Sequence, residues 1–406
     1  MAVHLYNTLT GRKEEWNPGR EVTLYVCGVT PYDTTHVGHA RTYLTFDVLV
    51  RLLLARGHRV RYVQNITDVD DSILKRATEF GVSHEELHRR FTGVYMEDIA
   101  ALGMVPAMEY PTATSGIPEI QVVIARLLQS GHAYEISGDV FFRVASAEGF
   151  GALSRLERAE MIDIESRQEG STVDDLRKED ALDFVLWRAA RSGEPRWPSP
   201  WGPGRPGWHI ECSTLVLKHL GPQIDVHGGG SDLVYPHHEC EIVQSEAATG
   251  LRPFAQLWVH VAMVLLDGEK MSKSDGNLVF VRELLARYTV DAVRLYLLGT
   301  HYREELDFDE AELAGCAESS AAIARAARVN AARTGSGEVD SAGPRRDFGA
   351  ALEDDLDTPA AIAAMTRLSD AITSGGQEDK ATFAAQRVLR LMASALGLQL
   401  EEHRAA

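Results

Sequence analysis

Close to the start of the chain, Thr23-Leu24-Tyr25-Val26-Cys27 is a short β-rich run ended by Gly28 and Pro31. Leu44, Val48 and Leu52 then recur at four-residue spacing, which predicts a helix stopped by Gly57. Val60-Arg61-Tyr62-Val63 supplies the next strand before Asn65-Ile66-Thr67-Asp68. Two parallel strands joined by a helix make a βαβ unit. Its first loop, Cys27 to His39, is then expected at the carboxyl edge of the sheet, where open α/β folds bind ligands.

Further along, residues from about 80 to 135 read as helical and Val140-Phe141-Phe142-Arg143-Val144 as an inserted strand. Trp197 to Gly204, rich in proline and glycine, reads as a loop leading into Trp208-His209-Ile210-Glu211-Cys212, and a second α/β portion runs to about residue 300. From about 310 the pattern turns alanine-rich and helical, interrupted by Thr334-Gly335-Ser336-Gly337, a flexible-linker composition. Thr358-Pro359 has the makings of an N-cap and first turn. The expected organisation is an α/β domain over 1–310, with an insertion at about 110–200, followed by a helical domain over 311–406.

Composition narrows the class. A chain of 406 residues with 45% hydrophobic content can bury a sizeable core. It contains no apolar run near the ~20 residues needed to span a bilayer. Its first residues lack the basic and apolar regions of an export signal, so a cytoplasmic protein is expected. Cys27, Cys212, Cys240 and Cys316 are scattered, which fits a reducing compartment and metal ligation better than a disulfide framework. The net charge of −18 rules out a basic stripe along the whole chain but leaves room for a local basic groove.

Two motifs suit nucleotide chemistry. His36-Val37-Gly38-His39 follows a strand and opens a helix, so helix N–H groups and two imidazoles face the place where charge builds on an α-phosphate. Alone, two such histidines can equally cap or pack. Far downstream, Lys270-Met271-Ser272-Lys273-Ser274 offers two ammonium groups to a departing pyrophosphate, although a K-x-x-K is more often a solvated loop. The two motifs in this order form the class I synthetase signature.

A third constellation is Cys27, Cys212, His237 and Glu241. His237 and Glu241 are four residues apart and on a helix would share a face. Two thiolates, an imidazole and a carboxylate make a zinc shell; the bland reading is two buried thiols beside a polar helix face. A zinc with room for one more ligand would take a substrate thiol as thiolate, a choice serine's hydroxyl cannot match. Cys240 points elsewhere along that helix, Cys316 sits in an alanine-rich helix, and His209 and His238 adjoin site residues as supports.

These motifs, with Tyr25-Val26-Cys27-Gly28, Asn65–Asp71, Gly207–Ser213, His227–Glu239 and Thr300-His301-Tyr302-Arg303, resemble the cysteinyl-tRNA synthetase family. They also resemble its shorter relative, the mycothiol-pathway ligase that joins cysteine to the amine of glucosaminyl-inositol. The likeness runs from Leu5 to about Leu400. It implies a Rossmann-like class I catalytic domain followed by a helical domain. By resemblance, Cys27, Cys212, His237 and Glu241 hold one zinc, and Thr67, Trp208, His227 and Asp232 line a cysteine pocket with Thr30 beside it. His36, His39, Lys270 and Lys273 serve ATP with Mg²⁺, and Gly228, Gly229 and Gly230 let backbone approach the adenylate. Pro31, and the lack of an evident anticodon-binding module, are closer to the mycothiol-pathway ligase. Glu241, Gly38–Thr42 and Asp267–Lys270 are closer to the synthetases. The expected activity is therefore cysteine activation with transfer to tRNA(Cys). Transfer to the aminosugar–inositol is the alternative, and an inactive RNA- or metal-binding paralogue is a remote third.

Overall fold

The two early strands are Glu21–Val29 and Arg59–Ile66, joined by the helix Val37–Ala55; the structure, a computed structural model, describes residues 2–271, 276–329 and 332–400. Among the described residues they form a parallel sheet in the order Ala255–Val261, Ile224–Gly230, Glu21–Val29, Arg59–Ile66. The strands are buried over most of their length, polar residues such as Gln64, Asn65 and His227 included, because helices cover both faces. Val22, Leu24 and Val26 meet Leu44, Phe46 and Leu49 of the helix in the main core.

The stretch from 80 to 135, read as helical, is helical over most of its length and ends in a strand. It holds two helices, His84–Ala101 and Ile117–Gln129, and then the strand Ala133–Ile136. Gly103, in the left-handed region at φ 67°, ends the first helix. The expected strand near 140 is one of four in an antiparallel sheet ordered Ala133–Ile136, Asp139–Phe142, Phe184–Ala189, Gly204–Pro206. This sheet has its own core of Ile120, Ile124, Phe142, Leu186 and Trp187.

Four helices, Glu310–Arg328, Ala342–Glu353, Thr358–Gln377 and Phe383–Ala395, follow among the described residues. Their Leu313, Ile323, Leu352, Met365 and Leu389 join the same core as Val293 and Leu298. Two expectations differ here. Asp357, not Thr358, caps the third helix by accepting from the Ala360 N–H, while the Thr358 hydroxyl donates to the Leu298 carbonyl at 2.7 Å. The glycine-rich segment near 335 is pinned, with Ser336 N–H donating to Asp379 and Ala381 N–H to Gly337, each at 2.8 Å. Deeper in, the fully buried Arg294 pairs with Asp47 and donates to the Leu102 and Leu396 carbonyls, tying the last helix to the first.

Candidate active site

Cys27 lies near the end of the strand Glu21–Val29, and Cys212 in the helix Trp208–His219 that crosses below it. The thiols are 3.7 Å apart, and Cys27 Sγ is 3.8 Å from Glu241 Oε2. His237 precedes the helix Glu239–Thr249 in a wide turn rather than within it, yet its Nε2 still reaches Glu241 Oε2 at 3.6 Å. The four donors lie within 4.8 Å of one another, all buried. A cation suits them: burial and the adjacent thiol push the Cys27 thiol up, burial pushes the Glu241 carboxyl up, and Glu241 Oε1 is buried without a partner. Cys27, Cys212, His237 and Glu241 thus form a buried cluster able to hold a metal.

Behind them stands a row of histidines. His238 Nε2 is 3.2 Å from Cys27 Sγ, its Nδ1 is 2.7 Å from His260 Nε2, and His260 Nδ1 is 2.8 Å from the Thr8 hydroxyl. His238 forms a second possible donor set with Cys27, His227 and Glu241. His209 Nδ1 is 3.1 Å from His237 Nδ1, which fixes the orientation of that ring. Burial holds His209 and His260 neutral, each lowered to about 3. His209 and His238 were marked in the sequence by their places beside Trp208 and His237; His260 gave no signal. Cys240 turns away from the cluster toward Glu165 and His209.

A cavity of about 460 Å³ opens over this cluster. Thr30, Thr67, Trp208, Cys27, Cys212 and His237 line it, together with His36 and His39. Trp208 stacks on His237 with ring centres 4.5 Å apart, and the Thr67 hydroxyl donates to Glu211 at 3.2 Å. Glu211, missed in the sequence, is fully buried, and burial pushes its carboxyl well up. His227 departs from its expected place. It is wholly buried, stacked on Trp258 at 4.4 Å, with Nε2 3.2 Å from Glu241 but out of hydrogen-bonding alignment, so it backs the cluster instead of lining the cavity. Asp232 lies in the adjoining lobe with Gly230 and Lys270.

That lobe also holds the first signature. His36 caps the helix Val37–Ala55, its Nδ1 accepting from Gly38 N–H at 3.1 Å, so the ring proton resides on Nε2. The His39 ring stacks on it at 3.7 Å. Burial keeps both imidazoles neutral, His36 lowered to about 4 and His39 further. Lys270 makes a half-exposed pair with Asp232 at 3.7 Å, a contact weak enough to be exchanged for phosphate. Lys273 lies outside the described residues. The glycines differ among themselves. A Cβ on Gly228 would fall 2.1 Å from the Phe46 ring and one on Gly229 2.9 Å from Leu233, so these two close on the interior, and Gly230 lines the lobe.

A parallel sheet with a histidine-capped helix at its carboxyl edge, and a lysine-bearing hairpin facing it, defines a class I aminoacyl-tRNA synthetase catalytic domain. Residues 14–318 match the family described as the tRNA synthetases class I (C) catalytic domain, and residues 347–401 match the DALR domain. A cysteine–tRNA ligase of Dehalococcoides mccartyi is 42% identical over 98% of this chain and 87% of its own. An L-cysteine:1D-myo-inositol 2-amino-2-deoxy-alpha-D-glucopyranoside ligase of Nocardiopsis dassonvillei is 44% identical over 98% of this chain and 96% of its own. Among solved structures, Mycobacterium tuberculosis methionyl-tRNA synthetase in complex with methionyl-adenylate shares the fold at a TM-score of 0.65. It is 15% identical, over 93% of this chain and 89% of its own. The chain belongs to the cysteine branch of the class I aminoacyl-tRNA synthetases, a family of adenylate-forming ligases. No described helix is long and apolar enough to cross a membrane.

Proposed function

We propose that this protein activates L-cysteine with ATP and transfers the cysteinyl group to tRNA. The observation that carries this is the meeting, in one cavity, of two thiols and an imidazole with the two histidines of the nucleotide signature. Cys27, Cys212, His237 and Glu241 would hold zinc, which when bound would take the substrate sulfur as thiolate and so favour cysteine over serine. Thr67, Trp208 and Thr30 line the space for the rest of the amino acid. The cysteine carboxylate oxygen then bonds to the ATP α-phosphorus as the bond to the β-phosphate bridging oxygen breaks and pyrophosphate leaves. Nε2–H of His36 and the N-terminus of its helix donate to the charge developing on the α-phosphate, and His39 supports His36. Lys270 and Lys273 would receive the β- and γ-phosphates, and Mg²⁺, when bound with ATP, would share their charge. A terminal ribose hydroxyl attacks the adenylate carbonyl and AMP leaves.

A second reading has the amine of glucosaminyl-inositol as acceptor. One feature favours it: Asp33 and Asp70 line the same cavity and could meet an amine; Asp71 and Glu169 beside them are paired with Arg205 and Lys75. Radiolabelled cysteine with ATP and either tRNA(Cys) or glucosaminyl-inositol tests both. Charging of tRNA alone supports the first reading, and transfer to the sugar amine alone replaces it. Absence of cysteine-dependent ATP–pyrophosphate exchange would sink both.

A further inference from the structure

The guanidinium of Arg41 is buried two residues beyond His39 and is shared among four backbone carbonyls. Nη1 donates to Ala262 and Met263, each at 3.2 Å; Nη2 donates to His301 at 2.9 Å and Glu304 at 2.6 Å. It therefore bolts the signature helix to two segments at once. One is the start of the hairpin Val264–Leu266 and Glu269–Lys270, which presents Lys270. The other is the turn 300–305, which runs on into Leu306–Asp307, the parallel partner of Val264–Leu265. Backbone bonds stitch the two together: Ala262 N–H to Tyr302 at 2.8 Å, Leu306 N–H to Met263 at 3.1 Å, and Phe308 N–H to Leu265 at 2.9 Å.

The far side of that turn is gripped by one carboxylate from the helical region. Asp355 is 1% exposed. Its Oδ1 accepts from the Tyr302 hydroxyl at 2.6 Å and from Tyr6 N–H at 2.7 Å, and its Oδ2 from Arg303 Nε at 2.8 Å. His301 Nε2 donates to the Asp355 carbonyl at 3.0 Å, and Asp355 N–H donates to His4 at 2.8 Å. Asp355 and Leu356 both take left-handed φ angles, 63° and 51°, which bring this carboxylate in just ahead of the helix Thr358–Gln377.

We infer that Asp355 is a positioning residue for adenylation: through Tyr302, Arg303 and Arg41 it sets the lysine hairpin against the His36–His39 helix. The docked helical region thereby holds the phosphate end of the site in register. A buried carboxylate saturated by charged and neutral donors is stiff, and a guanidinium spread over four carbonyls transmits a displacement of any one segment to the others. Cys27, Cys212, His237 and Glu241 make none of these contacts, so the clasp bears first on the nucleotide end of the site. The inference rests on the proposed cysteine activation.

Asp355→Asn tests it, because asparagine tolerates the left-handed backbone and keeps one acceptor while its amide faces Arg303. Tyr302→Phe is a milder cut that removes one hydroxyl. In Asp355→Asn, kcat for ATP–pyrophosphate exchange per titrated active site should fall about tenfold, on the scale of a modest misplacement of catalytic groups, with KM for cysteine within twofold of wild type. Tyr302→Phe should move the same way by less. Hydrogen exchange should quicken at the amides of Ala262, Leu306 and Phe308 and stay unchanged in the strand carrying Cys27. Wild-type protection at those amides in both variants, or an unaltered kcat per active site, would overturn the inference. A wild type without cysteine-dependent exchange would sink the adenylation reading instead, and the exchange pattern at those amides would still decide whether the clasp exists.

Discussion

Stripping the metal from the zinc-loaded protein should lower its melting temperature by about 5 °C. The four donors sit in an enclosure where none is more than 5% exposed. Without a cation, burial pushes the Cys27 thiol and the Glu241 carboxyl up, so binding couples metal to the folded state and to proton release. At free zinc about 1,000-fold above Kd the linkage is worth about 4 kcal/mol. With an unfolding entropy of about 2 cal/mol/K per residue, a chain of 406 residues converts this to the stated shift. Scanning fluorimetry with and without chelator measures it, and metal analysis of the same preparation should give about one zinc per chain. Cys212→Ser should lose most of the metal and most of the shift, because it removes a thiolate; Glu241→Gln should lose less, because both thiolates and the imidazole remain. The same samples supply the specificity test, since serine should be activated far more slowly than cysteine only when zinc is bound. An unchanged melting temperature on chelation, or Cys212→Ser retaining one zinc, would refute the metal assignment. Metal-free protein that still rejects serine would show that the pocket selects by shape.

Asp70, raised to about 6 by burial, binds a proton in the folded state that it has already lost when unfolded, so it weakens the fold progressively as pH rises from about 4 to about 6 and constantly above. Asp70→Asn keeps the helix cap and should be more stable than wild type above pH 6, by at most about 3 kcal/mol, and equal to it near pH 3; urea midpoints across that range check this. Asp47→Ala should cost about 3–5 kcal/mol in urea unfolding, because it strands the buried Arg294 charge. Gly28→Ala should fail to accumulate as folded protein, since its Cβ would lie 1.7 Å from the Asn65 carbonyl oxygen; a circular dichroism melt matching wild type would count against that.

The sequence carried the parts of this molecule whose geometry is local. The strand–loop–helix placing Cys27 and His36 could be read from a β-rich run, a Gly-Pro break and a four-residue apolar repeat, and the observed strand and helix contain those residues. The pairing of His237 with Glu241 was legible from spacing, although a wide turn delivers His237. What stayed hidden depends on chain crossings. His260 meets His238 because the strand Ala255–Val261 lies beside Ile224–Gly230, a neighbour relation with no signature in either segment. His227 looks like any cavity residue until its ring is seen stacked on Trp258. The composition of Thr334–Gly337 suggested flexibility, and only its pairing with 379–381 removes it. Asp357 displaced Thr358 as the cap because the Thr358 hydroxyl had a carbonyl to reach in a neighbouring helix.

One βα connection serves both ends of the proposed substrate pair, and that constrains how selectivity can arise. Cys27 near the strand end belongs to the buried donor cluster, while His36, nine residues on in the chain, caps the helix proposed to face the phosphates. Between them Gly28 N–H is held by the Asn65 side chain at 2.7 Å and Thr30 donates to Asp70 at 3.2 Å, so the start of the connection is tied to the neighbouring strand and to the segment that follows it. A hydroxyl amino acid of nearly the same size would fill this cavity almost as well, and size alone yields only modest discrimination. Because the same rigid connection orients the nucleotide, a cysteine held by its sulfur has its carboxylate fixed relative to the α-phosphate. A serine that gains nothing from the metal cluster is left free to sample other poses, losing positioning as well as affinity. If the cluster holds the substrate sulfur through zinc as proposed, selectivity against serine should appear in both kcat and KM of the adenylation step.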